Sequence, residues 1–429
     1  MPAELEPIVP PAVGGTVVPS AADAASDATE RVGRGWTVRF GVAWLGFWMA
    51  NLVPIQLLLP DQLARIDPAA KVRDFAVING VSGAIALLAL PICGALSDRS
   101  RSRFGRRRAW IAGGTVLFAA GLVLTGLQTH WGSLALAWSF SMLGLSAATA
   151  GLTAVVVDRV PGRQRGMISS AVYAPQALGV VLGIAVVAAL GLTSLEGYVV
   201  IAAALLVLTV PFVRHYVEVP PAPGEVLRLR QVVGSLRIDV RAHPDFAWAF
   251  GGRLLVNLGN SLGTCYLLYF LTDALRVADP DGTLLALTVV YLVAALVTTY
   301  VAGVLSDRSG RRRIFVAVAG VLQALAGFLL AAFPGPGVAF VAAAMLGGGF
   351  GAYMSVDQAL ITQVLPDARS RAKDLGVMNI GTIVPPAVAP LLAGLLIDGA
   401  GHGYPALFAT VGCTALLGAI STYKVRTVR

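Results

Sequence analysis

Long apolar runs alternate with short polar stretches along nearly the whole chain. At roughly 20 residues each, the runs are long enough to cross a hydrocarbon core of about 30 Å as helices. They predict twelve spans. Six fall in the first half, at residues 36–59, 74–96, 109–128, 132–157, 167–190 and 196–213. Six fall in the second, at 244–272, 284–305, 314–333, 338–363, 374–396 and 406–423. Residues 1–35 are rich in Ala, Pro, Val and Ser. They lack the basic start and apolar stretch of a cleaved signal peptide, so they read as a disordered tail. Residues 214–243 contain Pro220, Pro221 and Pro223 and read as a polar linker between two six-helix bundles, 36–213 and 244–424.

Composition agrees with lipid as the main solvent. The 429 residues are 56% hydrophobic and 13% charged, whereas soluble domains carry about 25% charged residues. Cys93, Cys265 and Cys413 lie in three different runs with no CxxC spacing, which supports neither a disulfide framework nor a zinc site. The four histidines, His130, His215, His243 and His402, fall at loops or span edges. The HExxH motif is missing from the chain, and it has no soluble domain for ATP. The pattern therefore argues against an enzyme and against a primary pump. No cofactor or metal is expected.

The formal charge is +9, but the basic residues are dispersed between the runs, not gathered in one patch for nucleic acid. Of the 32 Lys and Arg, 27 lie in the tail, the even-numbered loops and the C-terminus, and 4 lie in the odd-numbered loops. That bias predicts both termini in the cytoplasm. An even number of spans requires them to share a side.

The two halves repeat. Gly94-Ala-Leu-Ser-Asp98-Arg99 follows the second span, and Gly303-Val-Leu-Ser-Asp307-Arg308 follows the eighth, 209 positions later. Val160-Pro161 with Arg165 and Leu365-Pro366 with Arg371 form a second pair after spans four and ten. Two six-helix halves related by an axis along the membrane normal are a transporter architecture.

The run Gly303 to Arg312, with Asp307, Arg308, Gly310 and Arg311, resembles the signature loop GxLxDRxGRR of the major facilitator superfamily. The resemblance covers residues 36–424. It implies an all-α membrane protein of twelve transmembrane helices in two pseudo-symmetric bundles, working by alternating access. The first copy is longer, running from Asp98 and Arg99 to Gly105, Arg106, Arg107 and Arg108 with extra residues before the glycine. In this it is similar to the sucrose/proton symporter-like carriers and the glycoside–pentoside–hexuronide cation symporters. Melibiose-permease-like members carry embedded acids for sodium in the second span. Here that span has no carboxylate beyond Asp74 at its outer end, which argues against sodium.

Asp98 and Asp307 lie just past the ends of spans two and eight, where a carboxylate can accept N–H groups from a neighbouring helix N-terminus. The resemblance implies spans eleven and five as those neighbours. The arginines that follow can pair with Asp158 at the end of span four, forming a latch that breaks during alternation.

A cavity-lining helix should carry a polar stripe. Span seven has Arg253, Asn257, Asn260 and Thr264 at helical spacing. Span one has Trp44, Trp48 and Asn51, with Gln56 nearby. Span four offers Ser139, Ser146, Thr149 and Thr153, and span ten offers Tyr353, Asp357 and Gln358. Span five carries Ser169, Tyr173 and Gln176, and span eight carries Thr288, Tyr291 and Thr298. Spans three, six, nine and twelve are almost wholly apolar. The resemblance implies the same division, with spans one, four, seven and ten around the cavity and every third span facing lipid. Trp44 and Trp48 suit either stacking on a sugar ring or packing.

Arg253 and Asp357 are the ionisable residues well inside the spans. Each would cost about 2.5–3.5 kcal/mol unpaired at a helix centre. They lie about 13 Å and about 9 Å from the cytoplasmic ends of their helices, so they are expected to pair. Two readings follow: Asp357 takes up a coupling proton with Arg253 tuning it or binding substrate, or the two form a fixed structural pair. The expected function is proton-coupled symport of a sugar or glycoside-like solute by a monomer in the cell membrane. The competing expectation is proton-coupled efflux of drugs or secondary metabolites.

Overall fold

A computed structural model describes residues 31–100, 102–218, 244–309, 312–364, 371–399 and 403–425. Among these residues there is no strand. Twelve long helices account for them: α1 (Arg34–Ile66), α2 (Lys71–Arg99), α3 (Arg106–Gly126), α4 (Trp131–Arg159), α5 (Gly162–Ala189), α6 (Ser194–His215), α7 (Pro244–Cys265, continued by Leu267–Ala274), α8 (Pro280–Ser309), α9 (Arg312–Ala332), α10 (Pro336–Val364), α11 (Arg371–Gly394) and α12 (Gly403–Tyr423). Ten helices are apolar and long enough to cross a bilayer, and the bent α7 makes an eleventh. The apolar part of α5, Ala174–Ala189, is shorter.

Packing repeats between the halves. In the first, α3 packs on α4 and α6, α1 on α5 and α6, and α2 on α4. In the second, α9 packs on α10 and α12, α7 on α11 and α12, and α8 on α10. Across the halves α2 packs on α11, and α5 on α8. The sequence repeat is thus a repeat of neighbours in space. Glycines permit the closest approaches. A Cβ on Gly347 of α10 would run into the Tyr291 carbonyl of α8, and one on Gly351 would run into that of Ala295. The Gly347–Gly351 run is therefore a packing surface.

Three helices widen into π turns, at Pro54–Leu58 in α1, Phe270–Ala274 in α7 and Leu395–Gly399 after α11. The first begins on a proline and the third follows Pro385, Pro386 and Pro390. Proline removes a ladder N–H and disturbs the i→i−4 pattern. Before the second π turn, Tyr266 leaves helical geometry at φ −111°, and α7 bends by 43°.

Helix ends differ from the sequence reading: α1 runs on to Ile66 past residue 59, α5 begins at Gly162 before residue 167, and two segments read as tail or linker are ordered. The sequence pattern puts residues 31–35 in the disordered tail, yet α1 starts at Arg34. The Val32 N–H and carbonyl engage the Gln164 side chain at 2.9 and 3.4 Å. The linker reading began at residue 214, but α6 continues to His215 and residues 216–218 run on in extended form. Hydrogen bonds from a distant helix order both segments, and hydropathy does not register such bonds. Residues 1–30 and 219–243 lie outside the described residues.

Candidate substrate and coupling site

Arg253 on α7 and Asp357 on α10 are 3% and 4% exposed. Their Nη1 and Oδ2 atoms lie 2.5 Å apart. Each is also held by a second side chain. The Arg253 Nε donates to Thr382 Oγ1 on α11 at 2.9 Å. The Tyr353 hydroxyl, one turn before Asp357, donates to its Oδ1 at 2.8 Å. Asn257 turns inward along its own helix and donates to the Arg253 carbonyl at 2.8 Å. A buried ion pair is favourable only when the remaining lone pairs and protons are also satisfied, and Thr382 and Tyr353 supply that satisfaction. The pair, Tyr353 and Asn257 come together as the polar stripes predict. Thr382 was not singled out, because it is one hydroxyl in a proline-rich apolar helix and belongs to no stripe.

Two helical turns along α7, Asn260 accepts a hydrogen bond from the Tyr291 hydroxyl of α8 at 2.9 Å. Thr264 donates back to the Asn260 carbonyl at 3.0 Å. Both Asn260 and Tyr291 are half-buried. In the first half, Trp44 is 5% exposed. It packs against Phe40, Phe47 and Trp48, with ring centroids 6.3, 6.3 and 5.8 Å away. Trp48 is half-buried, and its Nε1 donates to the Val172 carbonyl of α5 at 2.7 Å. Asn51, Gln56 and Gln176 are half-buried. The side chains of Tyr173 and Gln358 lie outside the described residues.

The signature loop of the first half is a dense charge cluster. The Arg107 Nη2 lies 2.6 Å from Asp98 Oδ1, and its Nε lies 2.7 Å from Asp158 Oδ2. Its Nη1 donates to Ser97 Oγ at 3.0 Å. Arg106 joins the same Asp158 oxygen at 2.9 Å. Asp158 is therefore the arginine partner that the sequence suggests. Asp98 meets the Arg107 side chain, and residues 365–370, just before α11, lie outside the described residues.

The α3 N-terminus is capped by the carboxylate of Glu218, a residue in the stretch read as linker. Its Oε1 accepts the backbone N–H groups of Arg107 and Arg108 at 2.9 and 2.7 Å. These are among the free N–H groups of the first turn of α3, where the dipole favours an anion. Gly105 precedes them at φ +99°, and a Cβ there would collide with Glu218. Gly94 and Gly303 line helix ends, and Arg99 and Arg308 are exposed. The Asp307 side chain, Gly310 and Arg311 lie outside the described residues.

Twelve helices in two equivalent bundles, with a polar interior in each half, define a multi-pass membrane transporter and not an enzyme. The profile of the Major Facilitator Superfamily matches residues 40–275 and 254–429, and the chain belongs to that family. Similar solved structures include a D-xylose-proton symporter, with TM-score 0.66 and 16% identity over 92% of this chain and 97% of that one. A POT family transporter in complex with 5-aminolevulinic acid gives 0.68 at 13% identity, over 90% of this chain and 95% of that one. Another, in complex with a thioalcohol-conjugated peptide, gives 0.68 at 12% identity over the same shares. No curated protein matches the chain.

Proposed function

We propose that this transporter is a proton-coupled symporter of a sugar or glycoside-like solute, with Asp357 as the proton site. The observation that carries the reading is the buried carboxylate of Asp357, balanced by Arg253 and Tyr353 from within one bundle. Protonating Asp357 cancels the charge opposite the guanidinium. Arg253 Nη1 is then left with a donor to offer a hydroxyl or anionic group of the solute. Deprotonation restores the pair and expels that group. Proton and solute thus favour each other's binding through a single side chain.

The half-buried amides and hydroxyls of Asn51, Gln56, Gln176, Asn260 and Tyr291 suit a hydroxyl-rich ligand better than an apolar one. A D-xylose-proton symporter among the similar structures supports the same class of solute. In the orientation that the basic loops favour, both termini and the Asp98 end face the cytoplasm of a cell-membrane carrier acting as a monomer.

The test is uptake into proteoliposomes from a panel of labelled mono- and disaccharides under an imposed inward proton gradient. Accumulation that a protonophore abolishes is the expected result. Failure of every sugar, with folded carrier in the vesicles, overturns the reading in favour of proton-coupled efflux of amphipathic compounds.

A further inference from the structure

Among the described residues, the hydrogen bonds and the ion pair that cross between the two halves all lie at one end of the molecule, the outer end in the orientation above. Lys71 Nζ of α2 lies 2.5 Å from Asp273 Oδ1 in the π turn of α7. The Tyr266 hydroxyl is 3.0 Å from the Val72 carbonyl of the opposite half. The Tyr269 hydroxyl donates to the Pro60 carbonyl of α1 at 3.0 Å. Phe75 of α2 packs on both tyrosines, with ring centroids 5.1 and 5.9 Å away. The Lys71 ammonium sits 5.0 Å from the centre of the Tyr269 ring.

Inward from this plug the halves still touch through small residues. Ala76, Gly80 and Gly83 of α2 meet Gly394, Leu391 and Ala387 of α11. The same face of α2 continues to Leu90, Gly94 and Asp98. There it lines an open cleft of about 270 Å³ with Arg107, Ala150 and Thr153. Nothing lies within 4 Å of a Cβ placed on Gly94. One helix face is therefore sealed against the other half at the Lys71 end, while at the Asp98 end it lines this cleft of the first half among the described residues.

We propose that Lys71, Tyr266 and Tyr269 form the outer latch of the carrier and that release of this latch opens the site to the Lys71 side. The partners within the second half are arranged so that opening leaves few groups stranded. Asp273 also accepts from Tyr404 at 3.0 Å and from Thr272 at 3.1 Å, both in its own half. The Tyr266 hydroxyl is also 3.0 Å from the Pro390 carbonyl of its own half. When the halves separate, that hydroxyl has a partner waiting, Asp273 keeps two donors, and Lys71 moves into water. The latch parts lie at the break in α7 and beside the π turns of α1 and α7, where helical geometry is already interrupted.

The experiment uses the full chain in nanodiscs, with the three native cysteines replaced. Spin labels are placed at the exposed positions Ala69 and Ala278, one in each half. Double electron–electron resonance then reports the distance between them. The parent should give mainly short distances. Lys71→Ala and Tyr266→Phe should each at least double the long-distance fraction. The exchange Lys71→Asp with Asp273→Lys should return it toward the parent value, while Lys71→Asp alone should not. A parent dominated by long distances would overturn the proposal. So would single variants with unchanged distributions, or an exchange no shorter than Lys71→Asp alone.

Discussion

Arg253 and Asp357, 104 positions apart in the chain, face each other at 2.5 Å inside the second bundle. Neither relies on the other alone, since Thr382 and Tyr353 complete the hydrogen bonding. A pair built this way can be separated at modest cost when a proton or a ligand replaces one partner, as a coupling site requires.

Replacing Asp357 with Asn keeps the shape and most of the hydrogen bonds while removing the titratable group. Proton-driven accumulation should fall to equilibration, and exchange of labelled for unlabelled solute should persist. Both are measured in the same proteoliposomes. Full accumulation by Asp357→Asn would leave the pair a purely structural role.

Arg253→Ala strands a carboxylate 4% exposed. Loss of one partner of a buried pair costs about 3–5 kcal/mol. Thermal unfolding in detergent should show a large drop for Arg253→Ala, and adding Asp357→Asn should recover a good part of it. Additive losses in the double variant would contradict the pairing.

Glu218→Ala removes the acceptor of two N–H groups at the start of α3. Loss of a helix cap costs about 0.5–2 kcal/mol. Gly105→Ala should cost more, because it combines a φ of +99° with a collision against Glu218. In the Glu218→Ala background the Gly105→Ala loss should shrink, because the collision goes and the strain stays. Melting temperatures of the four proteins check this cycle.

Gly347→Ala drives a methyl group into the Tyr291 carbonyl. Overpacking of that kind costs about 1–3 kcal/mol. Gly113, which has nothing within 4 Å of its Cβ direction, is the control. Gly113→Ala should show no loss in the same thermal assay.

The span count, the repeat and the residues that belong in the interior were legible because hydropathy and helical spacing are local properties. Arg253, Asn257, Tyr353 and Asp357 stood out because a charge or amide in an apolar run is costly, so its presence marks a place. Trp44 shows the limit of that reasoning. A stripe position does not tell cavity from core, and this ring is enclosed by Phe40, Phe47 and Trp48.

By itself, the sequence determined that the chain is a twelve-helix membrane protein of two like halves, because the cost of placing polar groups in hydrocarbon is written residue by residue. Only the tertiary structure decided which distant groups meet. Thr382 completes Arg253, Glu218 caps α3, and Lys71 crosses to Asp273. A single hydroxyl, a carboxylate in a linker and a lysine at a loop edge have no distinctive local pattern. Their roles come from helix packing, which sets two side chains within 3 Å of each other without leaving a trace in their spacing along the chain.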